Sequence, residues 1–272
     1  MSFEPKRVFI IGSSDEGESI LLHVSMENRT AMGLYIDRLI IKFKKKEKII
    51  LEQEQTDTFF RRASIKRERK ILPGSSVRWT GICLTSPSFG QLDRVELLFH
   101  LRSGKKLRTT QVLEIPVSRY LQKTVLRLPF RGSWKVTQGH QCNSNHRISG
   151  YGGDFSWDFA AIGENGSIAT KDYHIYRRNR DVYSFGRDVS SPASGKIVRV
   201  KNDIADNEGE QSYPRKSLSY EVENPLWLFG NFVIIDHGNG EYSLLGHMMN
   251  GSIQVKEGDE VKAGDIIGKC GN

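Results

Sequence analysis

The rhythm of the first half of the chain is its strongest constraint on fold. Seven short apolar-rich segments follow one another, Val8–Ile11, Ile20–Asn28, Gly33–Phe43, Ile49–Gln53, Ser76–Cys83, Arg94–Leu101 and Leu107–Leu113, with no helical stripe among them. Arg94-Val-Glu-Leu-Leu-Phe-His-Leu alternates with a period of two, which puts one face of a strand in water and the other in a core. Turn residues punctuate the segments: Pro73-Gly74-Ser75-Ser76, Ser86-Pro87-Ser88, and Ser103-Gly104 between two strands that would pair as a hairpin. This spacing predicts an all-β domain over residues 1–125, an immunoglobulin-like β-sandwich.

Composition separates that half from the rest. Residues 1–125 carry 23 Lys+Arg against 14 Asp+Glu, a net of +9, whereas residues 126–272 carry 17 against 18, a net of −1. A second domain over 126–272 follows from that break. With 38% apolar and 26% charged residues the chain has the make-up of an ordinary globular protein. It has no apolar run near the roughly 18 residues of a membrane span. Its opening Val-Phe-Ile-Ile is too short for a secretory leader. Cys83, Cys142 and Cys270 lie far apart without a C-x-x-C, which argues against a disulfide framework and a Cys-built zinc site. Two basic runs, 42–48 and 61–70, could attract polyanions. No aromatic residues interleave the charges, however, and a solvated hairpin with a charged sheet edge accounts for them without nucleic acid.

The second half states one pattern twice. Ser191-Pro-Ala-Ser-Gly-Lys-Ile-Val-Arg-Val200 is a glycine turn followed by an alternating strand, and Gly251-Ser-Ile-Gln-Val opens the same way. The second copy continues through two tight turns, Glu257-Gly-Asp and Ala263-Gly-Asp, whose glycines supply a positive φ. Between the copies, Gly230 to His247 reads as a strand, an Asn-Gly turn and a returning strand that ends in a histidine.

These stretches resemble the lysostaphin-type zinc endopeptidases, the family built on a duplicated hybrid motif (a barrel-sandwich fold). Gly132-Ser-Trp-Lys-Val-Thr-Gln-Gly139, with Asn145-His146 and Trp157-Asp158-Phe159-Ala160, is similar to the family's opening. Gly230–His247 is similar to its central hairpin, and Gly251 to Asn272 to the glycine-punctuated run that follows. The resemblance implies that His146 and Asp158 ligate zinc, that His247 is the catalytic histidine, and that the substrate is peptidoglycan peptide. His140 is a weaker candidate for the same cleft. Asp154 competes with Asp158, but Phe159-Ala160 favours the latter. His237 reads as structural, and His23 and His100 fall in the sandwich. Hydrolysing an amide with zinc needs two or three protein ligands and one open position for water, and two alone are poor for a tetrahedral site. The family's third ligand comes from a His-x-His strand, and no such pair occurs in this sequence. The expectation is therefore either a C-terminally shortened peptidase, ending at an open sheet edge, or a catalytically incomplete relative that binds or regulates in the cell wall. The resemblance also suggests a cell-envelope or extracellular setting.

Two long excursions remain. Tyr173-His-Ile-Tyr-Arg-Arg-Asn-Arg with Tyr183-Ser-Phe-Gly-Arg reads equally as a cleft rim or as a solvated loop, and 202–224 is polar. The Val-x-x-Gly-Asp-x-Val-x-x-Gly type of run also occurs in lipoyl and biotinyl carriers. Those need a Lys on a protruding hairpin, and Asp236-His-Gly-Asn-Gly has none.

Overall fold

A computed structural model describes residues 1–4, 8–13, 17–55, 69–104, 107–139, 146, 153, 155–170, 178–207, 224 and 226–272. The described elements are seventeen strands and two three-residue 3₁₀ turns, so the architecture is nearly all β. No helix among the described residues is long and apolar enough to cross a membrane. The chain divides into two compact units: Met1–Leu121 with His140–Ser156, and Gln122–Gly139 with Trp157–Asn272.

The first unit holds β1 (Ser2–Glu4), β2 (Val8–Ser13), β3 (Gly17–Glu27), β4 (Leu34–Lys45), β5 (Lys48–Gln55), β6 (Lys70–Ile71), β7 (Ser76–Ser86), β8 (Arg94–Ser103) and β9 (Leu107–Arg119). Two hydrogen-bonded groups form, one around β3 and one around β8. In the first, β3 pairs with β1, β2 and β7; in the second, β4 pairs with β5, β6 and β8, and β8 with β9. β2 joins them by running parallel to the end of β9, Val8 opposite Val117. The alternation read in the sequence is the cause of the packing: Val95, Leu97, Phe99 and Leu101 of β8 are all buried. They meet Ile20, Leu22 and Val24 of β3 and Trp79 of β7 in one core, where the Trp79 and Phe99 rings stack at 5.6 Å. The sequence reading missed β1 and β6, which are very short, and ended β9 too early. Pro116 looks like a strand breaker, yet β9 continues past it because Val117–Arg119 find partners in β2.

The basic run at 42–48 is the hairpin expected of it. Its turn has Lys46 at φ +50°, and its lysines face acids: Lys44 Nζ lies 2.6 Å from Glu96, and Lys42 3.6 Å from Glu52. Residues 61–68 of the second run lie outside the described residues. One cysteine expectation needs correction: Cys83 on β7 is disulfide-bonded. Distance along the chain is no guide to distance in a β fold, where strands remote in sequence are neighbours in space.

The second unit holds β10 (Trp134–Gln138), β11 (Asp158–Ala161), β12 (Asp188–Ser190), β13 (Gly195–Lys201), β14 (Asn231–Asp236), β15 (Tyr242–Met248), β16 (Glu260–Val261) and β17 (Ile266–Lys269). β15, β14, β13 and β16 form a sheet in that order, while β10 pairs with β11 and β12 with β17. Val189, Ile197, Val233, Ile235, Met248, Val261 and Ile267 make its core. Both predicted tight turns are present and are built alike. Asp259 N–H donates to the Lys256 carbonyl and Asp265 N–H to that of Lys262, both at 3.1 Å, with Gly258 at φ +95° and Gly264 at φ +94°. These are type II turns, which need a residue of positive φ at the third position. The opening of the second copy differs from the reading. Ile253 and Val255 pack on the core but no strand forms there, because the Ile253 N–H turns to the Asn202 side chain instead of to a ladder.

An ion pair between a buried carboxylate and a half-exposed guanidinium closes the first unit. Glu18, 4% exposed, accepts from Arg119 at 2.7 Å and from the Phe89 N–H at 2.5 Å. The Arg119 hydrogen bond, seconded by that of Phe89, outweighs burial and holds the Glu18 carboxyl below its ordinary value of 4.5. A depressed carboxyl stabilises the fold above its unfolded pKa, and that contribution is lost as pH falls through the folded one. Glu18→Ala, which leaves the Phe89 N–H without its acceptor, is expected to cost about 1–3 kcal/mol in urea unfolding at neutral pH. The difference from wild type should shrink below pH 4.5.

Candidate functional site

β14 and β15 form the hairpin that the sequence places at the centre of the second unit. Their register runs from Asn231 opposite Met248 to Asp236 opposite Tyr242. Gly238, Asn239 and Gly240 all have positive φ in the turn, which explains the Gly-Asn-Gly sequence. At the far end of β15 stands His247, exposed and at φ +53°. A side chain in this left-handed region costs about 1–2 kcal/mol. The fold holds it there through the neighbouring backbone. The Gly271 N–H donates to the His247 carbonyl at 2.7 Å, and the Met249 N–H to that of Lys269 at 2.9 Å. On the other side, a Cβ on Gly246 would lie 3.1 Å from Phe229 Cβ, so the strand end packs closely on that ring.

Asp158 opens β11. It pairs with Gln138 beside a register shift in β10, its side chain is half-buried, and Thr137 Oγ1 donates to its carbonyl at 3.3 Å. Around it Phe130 stacks on Trp134 at 4.2 Å and meets Phe159 edge-on at 4.9 Å. This aromatic row gives the two-stranded β10–β11 sheet an apolar support.

His146 is half-buried, with Nδ1 3.0 Å from the Ser156 carbonyl oxygen. A carbonyl only accepts, so Nδ1 is the donor in this bond. This is the arrangement of a metal-binding imidazole whose second nitrogen is fixed by a backbone acceptor. His146 Nε2 and the Asp158 carboxylate therefore have the donor chemistry that zinc takes. Among the described residues, however, no three His, Cys, Asp or Glu side chains are grouped to hold a metal ion. His140 and Asp154 lie outside the described residues.

The remaining described histidines have structural surroundings. His237 donates from Nδ1 to the Ser194 carbonyl at 2.8 Å and accepts at Nε2 from the Ser243 hydroxyl at 2.7 Å, which leaves no lone pair for a metal. His23 is buried in β3, and His100 Nδ1 lies 2.9 Å from Thr110 Oγ1. Cys270 is a free thiol, and burial pushes its pKa up to about 11.

The sequence reading passed over Asn231. It is 3% exposed at the start of β14, and its side chain bonds both polar groups of the Ile204 peptide and the Met248 carbonyl. A polar residue opening an otherwise apolar run was the available signal.

Comparison with known families matches residues 182–272 to peptidase family M23. The matched stretch contains His247 and Asn231 and begins after His146 and Asp158. No curated protein matches the chain.

Two outcomes follow from this geometry. His247→Gly is expected to be more stable than His247→Ala by about 1 kcal/mol in thermal or urea unfolding, because only the glycine escapes the left-handed penalty. Cys270 is expected to react with iodoacetamide at pH 7.5 far more slowly than glutathione does in the folded protein, and at a normal rate once the chain is unfolded.

Proposed function

From a C-terminal region that matches peptidase family M23, we propose that this protein is a zinc-dependent endopeptidase of the lysostaphin type, acting on peptide bonds in peptidoglycan. The family match over 182–272 carries this reading. His146, through Nε2, and Asp158 would hold the ion. The tautomer set by the Ser156 carbonyl supports the first of these assignments. Held there, the ion would supply Lewis acidity for the scissile carbonyl and would lower the pKa of a water toward about 7. His247, exposed at the end of β15, exchanges a proton at its ring nitrogen with the reacting groups. The first unit, read as an immunoglobulin-like sandwich, places the substrate. The disulfide at Cys83 supports work in an oxidising compartment, as a wall substrate requires.

One observation favours a second reading. Because the described residues bring together no three-donor metal group, the chain could instead be a catalytically incomplete relative that binds or regulates during wall remodelling. Metal content and turnover separate the two. A peptidase should purify with about one zinc per chain and release peptides from cross-linked peptidoglycan. Both properties should fall sharply in His146→Ala and Asp158→Asn, while His247→Ala should keep zinc and lose turnover. Wild-type protein without zinc and without peptide release would establish the binding module in its place.

A further inference from the structure

We infer that Asn231 is the positioning residue that fixes His247, an assignment that rests on His247 being the acid–base group proposed above. The observation is a buried amide spent entirely on backbone. Asn231 Oδ1 accepts from the Ile204 N–H at 2.9 Å, and Nδ2 donates to the Ile204 carbonyl at 2.7 Å and to the Met248 carbonyl at 3.2 Å. Two donors and one acceptor on one short side chain are what an asparagine offers. The Ile204 peptide is thereby bonded as a strand neighbour would bond it, and the Met248 carbonyl, one residue past His247, is tied to the same anchor.

His247 needs such an anchor because its backbone is in a conformation it would not keep alone. Three consecutive residues are held: His247 by Gly271, Met248 by Asn231 and Met249 by Lys269. Gly271 closes the other side. A Cβ there would lie 2.6 Å from Met249 N and 2.7 Å from the Met248 carbonyl carbon. The imidazole is thus carried on a short backbone segment clamped between Asn231 and Gly271. Remote residues of this kind matter because a small misplacement of a reacting group costs much of its rate.

Asn231→Asp keeps size and the acceptor but loses both donors; Gly271→Ala disturbs the clamp from the opposite side and serves if the first variant does not fold. Two readouts are measured on the full chain. Amide hydrogen exchange at Gly271 and Met249 should rise by about tenfold or more, with Ile197 and Val233 in the core unchanged. On a cross-linked peptidoglycan peptide, kcat should fall by about tenfold or more with KM within about twofold, since the loss lies in the transition state rather than in substrate binding. Unchanged exchange in both variants overturns the clamp. Raised exchange with unchanged kcat overturns the positioning role. If wild-type protein has no turnover, the peptidase reading falls, and raised exchange in the variants still supports the clamp on His247.

Discussion

The second unit has little apolar material to stand on. Among the described residues its core cluster has seven buried side chains, and β12, β13, β15, β16 and β17 contribute one each. Strands of two to seven residues cannot satisfy their backbone by laddering alone. Side chains therefore complete the hydrogen bonding at each break. Asp259 and Asp265 cap the N–H groups of Lys256 and Lys262 across the two type II turns, and Asn202 receives the Ile253 N–H. The Glu241 carboxylate takes the N–H groups of Lys123 and Thr124 at 2.7 Å each. The left-handed histidine at the end of β15 belongs to the same economy, since a short strand that must turn at once leaves its last residue wherever the next hydrogen bond requires.

The first unit solves the same requirement differently. β3, β4, β7, β8 and β9 are ten to thirteen residues long, and a single core of many buried side chains lies along them. Glu18, a carboxylate drawn into this unit, is paired with Arg119. On its β4–β5 hairpin, Lys42 and Lys44 meet glutamates of neighbouring strands.

What could be read from sequence follows from range. Alternation and turn chemistry are local, so β8, the β14–β15 hairpin and the glycines at 258 and 264 were legible. The last strand of the first half was ended at Leu113 because the partner that sustains β9 as far as Arg119, β2, is about a hundred residues away. Ile253–Val255 misled for a similar reason: the alternation is real and serves burial, but Asn202 captures the N–H that a strand would need. Asn231 was passed over because its hydrogen bonds exist only once Ile204 and Met248 have come together around it. The tautomer of His146 was equally beyond reach, being set by Ser156 across a stretch with no periodic signal.

Cys83 and Cys270 together have a chemical consequence. A chain that contains one disulfide and one unpaired sulfur runs the risk of scrambling, in which the lone sulfur attacks the bond and exchanges partners. The attack requires the anion. At neutral pH a group ionising near 11 supplies it in only about one molecule in ten thousand. Burial of Cys270 in the folded second unit thus works against such exchange.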